Sequence, residues 1–384
     1  MKRFSLLAIM MAFVMLLASC GGGDADSDTS GGDADTDVQV EETTAAPDAA
    51  DDSTDADAAD VQEVDLTQVD LYGSDPEVTA DMLEGKKIAY LAPSKDILYW
   101  QWVEDGIEQV CEELGVELVT LDAQNSASTQ QSNTETALSS DVDGIILSPV
   151  SSTSSTNVLL SAEDAGIPIT FAAIGPDEGV TNYDCCVTAD DYTSGYENGI
   201  FLCDRIEELG GGTIGVLSLP LDRTNAKAKM AGLEKACEEK GGEIAQGLQT
   251  TDLTVNLAAQ QANDLITTNS DMKGIYGMYE QAGIGAVNAV ESSNLLGEVS
   301  IVSSDGSPES IRFIREGKID GMVVQPAVGQ GVVAARQLFR VMCGLDVFAK
   351  DIPLPEPLVT TENVDDADIQ ELLPMVYPAS AGSY

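Results

Sequence analysis

From Lys86 onward, short apolar runs alternate with longer stretches in which apolar positions recur every three or four residues. The runs are KIAYLA, VELVTLDA, GIILSP, PITFAA, TIGVLSL, GEIAQGLQ, GIYGMY, VSIVSSD and GMVVQP, and their length and composition predict strands. Between the first two, Trp100, Val103, Ile107, Val110, Cys111 and Leu114 fall on one helical face. Further helices are predicted over about 129–140, 154–165, 192–209, 225–240, 255–268, 284–293 and 329–343. This alternation predicts an α/β fold with mainly parallel sheets. Nine or more strand–helix units suit two doubly wound lobes better than a single closed barrel, which ordinarily uses eight.

Open parallel sheets bind ligands beyond the carboxyl ends of their strands. Tyr99 and Trp100 follow the first run, Asp222, Arg223 and Asn225 follow TIGVLSL, and Tyr279 and Glu280 follow GIYGM. Asp305 ends VSIVSSD, and Gln325 ends GMVVQ. These are aromatics, carboxylates and amides with no thiol–histidine or nucleophile–base pair among them. Planar carboxylates and amides engage adjacent hydroxyls, while aromatic faces cover C–H patches. The mixture suits a sugar or other polyol. Trp100 is also in register with Val103 and Ile107, so a core role stays open for it. Trp102, two positions along, points away from Trp100 on a helix.

The stretch from Lys86 to about Thr361 resembles the type I periplasmic binding proteins of the ribose/galactose-binding group, which serve ABC sugar importers. The resemblance rests on KIAYLAPSKDILYWQWVEDGIEQVCEELGVELVTLDAQN, DVDGIILSP, AGIPIT, AKMAGLEKAC, VSIVSSDGSPES, IREGKIDGMVVQP and GQGVVAARQL, in that order. It implies two Rossmann-like lobes joined by a three-segment hinge, with residues 86–188 and 326–355 in the first and 189–325 and 356–384 in the second and the tail. It further implies stacking by Tyr99 and Trp100, a hydroxyl-binding Asp305 and a hinge-side Gln325. Two family arginines are missing: Ala173 stands at one position and Lys227 at the other, with Arg223 nearby. Tyr279 replaces an asparagine, and Glu280 occupies a position that is acidic in the family. Losing two rigid guanidinium forks leaves the identity of the sugar open.

Charge and the N-terminus narrow the class. There are 66 acidic residues against 18 basic ones, a net charge of -48, and no histidine. Nucleic-acid binding needs a basic footprint and is excluded; the commonest metal ligand and general base is absent. No cofactor and no metal are expected. Lys2 and Arg3, an apolar stretch to Leu17, and Leu17-Ala18-Ser19-Cys20 resemble a lipoprotein signal, with residues 1–20 cleaved before a lipidated Cys20. Residues 21–85 contain no Lys or Arg before position 86 and are expected to form an acidic, disordered tether. Cys111, Cys203, Cys237 and Cys343 lie in helical patterns, where a buried thiol is ordinary. Cys185 and Cys186 point oppositely in a strand, although an even number of cysteines after Cys20 permits bridges.

The expected protein is a monomeric, lipid-anchored, extracytoplasmic solute-binding protein that delivers a sugar or polyol to an ABC transporter permease. A ligand sensor for a chemoreceptor or kinase, a purine nucleoside receptor, and an enzyme using Asp305 and Glu280 as a carboxylate pair are the alternatives.

Overall fold

In the computed structural model, which describes residues 66–382, all nine apolar runs form strands. In the first lobe, β1 (Lys87–Ala92) leads to α1 (Leu98–Leu114), β2 (Glu117–Asp122) to α2 (Ala127–Ser139), and β3 (Gly144–Leu147) to α3 (Ser155–Ala165). β4 (Ile169–Ala173) and β5 (Cys185–Ala189) follow, and α4 (Asp191–Glu208) opens the second lobe. There, β6 (Thr213–Ser218), α5 (Thr224–Lys240), β7 (Ile244–Gln249), α6 (Val255–Thr268), β8 (Met272–Gly277), α7 (Glu280–Ser292), β9 (Ser300–Asp305), α8 (Pro308–Arg315) and β10 (Gly321–Val324) succeed one another. The chain ends with α9 (Ala327–Met342), β11 (Asp351–Leu354), β12 (Leu358–Thr360) and α10 (Ala367–Val376). No helix among the described residues is long and apolar enough to cross a membrane.

The two sheets have the orders β11-β5-β4-β3-β1-β2 and β12-β10-β9-β8-β6-β7. Every pairing is parallel except β10 with β12. This is the doubly wound arrangement, used twice. The order reverses between β1 and β3 in one sheet and between β6 and β8 in the other, which places a crevice at each switch point. The chain passes between the sheets after β5, after β10 and after β11. Those three passages carry Asp190, Gln325-Pro326 and Glu356.

The predicted runs leave out β11, β12, α8 and α10, and also β5, of which only Cys185 and Cys186 were expected in a strand. β11 and β12 are edge strands of four and three residues with polar or proline positions, and α8 has only eight residues. Periodicity needs more positions than that to show. α10 carries Pro374, which breaks the helical pattern. It packs on α9, and Tyr377 beyond it lies 5.9 Å from Trp102, ring to ring. Val376 also abuts Gly306 of the second lobe. The 356–384 segment is therefore not confined to the second lobe, because its apolar face is shared.

The tether expected over 21–85 does not hold for its last twenty or so positions. Short 3-10 turns span Leu66–Gln68 and Ala80–Leu83, Leu83 is fully buried, and Val78 is buried beside it. Arg340 of α9 donates to Asp75 at 2.6 Å and to Glu77 at 3.1 Å. Arg336, one turn earlier, donates to Glu113 at 3.0 Å and to the Tyr72 carbonyl. This strap is held because apolar residues return from about Val61 (Leu66, Val69, Leu71, Tyr72, Val78, Leu83) and offset the cost of ordering it. The Cys20 signal and the acidic stretch before position 66 lie outside the described residues.

Candidate functional site

The loops at the two switch points face each other. From the first lobe come Ile97, Tyr99, Trp100 and Ala173; from the second come Leu219, Arg223, Asn225, Lys229, Leu253, Tyr279, Glu280, Gln281 and Asp305, with Gln325 from the hinge. The space between them is about 40 Å³, room for about three waters at ~10–15 Å³ each. The rims meet where Ser152 Oγ donates to Thr224 Oγ1 at 3.1 Å and accepts from Thr224 N at 3.2 Å, so the lobes stand closed.

Two wall residues sit on strained backbone. Ala173 ends β4 with φ 71°, and Asp305 ends β9 with φ 82°. β4 and β9 hold the same place in their respective sheets. Non-glycine residues rarely adopt this region, and such strain persists where the surroundings over-determine it, often at ligand sites. Asp305 is held from two sides: its Oδ2 accepts from Glu280 N at 2.9 Å, and its carbonyl accepts from Gln325 N at 2.7 Å. That links the strand end to the second hinge passage.

Tyr99 and Trp100 form an edge-to-face pair with centroids 5.0 Å apart, and Tyr99 donates to Gln330 of α9 at 2.5 Å. Trp102 is buried against Tyr377 and does not line the cavity. Two expected site residues lie elsewhere. Asp222 is exposed, and the Lys227 side chain is 73% exposed, 4.0 Å from Glu178 on the surface. Lys229 is the lysine in the wall, 1% exposed. The reason is helical phase: Ala226, Lys229, Leu233 and Ala236 share the buried stripe of α5, while Lys227 is turned about a third of a circle away. α4 crowds this stripe, since a Cβ on Gly195 would lie 2.0 Å from the Lys229 carbonyl. Lys229 inside an apolar i, i+3, i+7 pattern was the signal available in the sequence.

Lys229 is the ammonium of a buried charge cluster. Its Nζ lies 3.6 Å from Asp191 Oδ1, and it also faces Glu356 and Asp305. Burial alone would lower its pKa, but Glu356, Asp191 and Asp305 outweigh that and raise it. The carboxyls are also raised, because burial exceeds what one ammonium returns to several acids: Asp191 to about 6, with Glu356 and Asp305 in the same direction. Burial, followed by the three acids, raises Tyr99. Asp191 and Glu356 flank the first and third hinge passages, so the cluster ties the cavity wall to the hinge.

Glu280 is 5% exposed, and its carboxyl is pushed up to about 8 by burial first and the Asp305 charge second. Its Oε1 accepts from Ser310 Oγ at 3.3 Å. The folded protein thus holds a proton that the unfolded chain loses near 4.5, and the associated stability is lost as pH rises from about 4.5 through about 8. Asp191 acts with the same sign. We expect the melting temperature to fall across that interval in calorimetry at stepped pH. Glu280→Gln, which keeps a neutral side chain, should flatten the fall; an unchanged slope would place the titration elsewhere.

Several polar groups in the wall have no protein partner. The Tyr279 hydroxyl is buried without a hydrogen bond. Arg223 is 8% exposed, and among the described residues its guanidinium makes no hydrogen bond or ion pair; burial lowers its pKa and the nearby Asp222 charge partly restores it. Buried polar groups are normally satisfied, and these two bring unused hydrogen-bonding capacity to the cavity wall. No cluster of three or more possible metal ligands occurs among the described residues.

The comparisons agree with this architecture. The chain is 21% identical over 258 residues to the ribose import binding protein of Bacillus subtilis, covering 67% of this chain and 82% of that one. It is 25% identical over 271 residues to a putative rhizopine-binding protein of Rhizobium meliloti, covering 68% and 86%. A carbohydrate transporter solute binding protein from Agrobacterium radiobacter, solved with D-arabinose, superposes with a TM-score of 0.69 at 22% identity, over 78% of this chain and 99% of that one. One from Actinobacillus succinogenes with bound D-allose gives 0.67 at 22% identity, over 73% and 99%. The periplasmic binding protein domain profile matches residues 88–346, well over half of the chain, and with the doubly wound lobes and the cleft between them this places the chain in the periplasmic binding protein family.

Proposed function

We propose that the protein is an extracytoplasmic solute-binding protein that clamps a sugar or related polyol between its lobes and hands it to an ABC transporter. The observation that carries this reading is the closed, interlobe cavity whose buried Arg223 and Tyr279 groups lack protein partners, beside Asp305 and opposite the Tyr99–Trp100 pair. Guanidinium, phenol, amide and carboxylate groups satisfy hydroxyls, and the ring pair covers a C–H face. Among the relatives described above, one is named for ribose and two were solved with D-arabinose and D-allose, which supports the class without naming the member. A monosaccharide exceeds the present space, so it enters as the lobes part at the three hinge passages, and contacts to both lobes then favour closure. The reading assigns ligand contact to Tyr99, Trp100, Arg223, Asn225, Lys229, Tyr279, Glu280, Asp305 and Gln325. Capture, not chemistry, is the role of Asp305 and Glu280.

The N-terminal signal completes the reading. Cleavage before Cys20 and lipidation of its thiol would hold a monomer at the membrane surface by an acidic tether ending near residue 65. Mass spectrometry of the mature N-terminus tests this, and an unmodified Cys20 overturns it.

Thermal-shift screening against monosaccharides, polyols and nucleosides identifies the ligand; stabilisation by nucleosides alone would replace the sugar reading. With the best ligand, Asp305→Ala is expected to lose about 1.5–3 kcal/mol, the worth of a hydrogen bond to a charged group, or one to two decades in Kd. Trp102→Ala should change Kd less, because Trp102 faces Tyr377. Titration calorimetry on both variants decides; wild-type affinity in Asp305→Ala would mean that the ligand sits elsewhere.

A further inference from the structure

We propose that Cys203 and Cys237 are a redox-active pair that closes to a disulfide and staples α4 to α5 in the second lobe. Their sulfurs lie 4.0 Å apart, both residues are 6–7% exposed, and they face each other across the α4–α5 interface. That closeness is built in by glycine: a Cβ on Gly199 would sit 2.6 Å from the Ala236 Cβ, one residue before Cys237. A disulfide needs about 2.05 Å, so the sulfurs have a further ~2 Å to close. The other described cysteines offer nothing comparable. Cys185 and Cys186 are adjacent strand residues, and Cys111 and Cys343 have no thiol hydrogen bond to another cysteine.

The pair is also poised chemically. The two thiols are in hydrogen-bond contact with each other. Cys203 lines a surface pocket and Cys237 does not, so Cys203 is the thiol an oxidant reaches and Cys237 the resolving one. A surface pocket of about 490 Å³ lined by Cys203, Gly211, Gly212, Lys240 and Gly242 gives an oxidant its approach. The oxidant is a low-molecular-weight disulfide. Cys203 thiolate attacks one of its sulfurs and releases one thiol; Cys237 then attacks the mixed disulfide and releases the second. Two S–H bonds are lost, one S–S bond forms, and two electrons and two protons leave on the reduced reagent. The staple closes a loop across 34 positions and restricts the unfolded chain. It sits eight residues along α5 from Lys229, the nearer of that helix's two cavity residues, about 12 Å at 1.5 Å per residue, so the cavity wall is not part of the bridge.

The test is to incubate the full chain with oxidised glutathione, alkylate the remaining thiols, and map peptides without reduction. A Cys203–Cys237 cross-linked peptide is expected, with Cys111, Cys185, Cys186 and Cys343 alkylated. The oxidised protein should melt higher than the reduced one and show the same thermal-shift response to the sugar panel. Cys203→Ser and Cys237→Ser should each abolish both the cross-link and the shift. Alkylation of both cysteines after prolonged oxidation, a persistent glutathione adduct on Cys203, or a bridge between other cysteines overturns the proposal. Because the readout is covalent, it stands apart from whether the ligand is a sugar.

Discussion

Lys229→Met is expected to be among the most destabilising single changes in this protein, by about 3–5 kcal/mol, because it leaves buried carboxyls without their cation. Lys229 is 1% exposed, 3.6 Å from Asp191, and its charge also offsets Glu356 and Asp305. Methionine replaces the stem almost atom for atom, so the loss reports the charge and not the packing. Chemical denaturation at pH 7 should show a large fall in midpoint with an unchanged slope. Two further measurements separate electrostatics from simple misfolding. The double variant Lys229→Met/Glu356→Gln should regain part of the loss, since it removes one of the stranded acids. The penalty should also shrink on acidification, because protonated carboxyls need no cation. In the parent, the raised Lys229 pKa means that its contribution is fully present below the ordinary lysine pKa and is lost only as pH rises through the higher folded value. The range from pH 5 to about 8 therefore tests the acids alone. A variant as stable as the parent would show that the acids are neutral throughout and that the lysine is dispensable.

A chain starting at Glu84 should be markedly less stable than one starting at Val61, although only the short strap is removed. Leu83 and Val78 are buried, at roughly 1.5–3 kcal/mol each, and Arg340 loses Asp75 and Glu77. Part of this gain is already offset by the entropy of ordering the strap, and truncation lets water reach the arginines. A net loss of about 3 kcal/mol remains, roughly 6–12 °C in Tm at the ~2–4 °C per kcal/mol of domains somewhat smaller than this. Differential scanning calorimetry of the two chains, with and without ligand, is the measurement. Arg340→Ala in the longer chain should reproduce part of the drop. Equal melting temperatures would mean that the strap contributes no net stability.

These two effects mark where reading the chain stopped. The nine apolar runs supplied nine of the twelve strands described in the two sheets, because short β-rich runs stand out from the helical pattern without any partner being known, while β5, β11 and β12 were not among them. The order of those strands, and the positions just beyond them, were enough to collect Tyr99, Trp100, Arg223, Asn225, Tyr279, Glu280, Asp305 and Gln325, because ligands in open parallel sheets sit past the strand ends. What the sequence by itself determined, then, is the fold class, the two-lobe plan and which loops face the cleft. The tertiary structure decided the rest. Lys229, not Lys227, enters the wall because the rotational phase of α5 is set by its packing on α4. Asp222 turns outward because the loop tightens into the α5 cap at Arg223. Asp191 and Glu356 join Lys229 from segments 165 positions apart, and the strap is ordered by arginines more than 250 residues downstream. Local pattern records which side of an element is apolar; it cannot record which distant charge that side will meet, since that pairing exists only once the lobes have assembled.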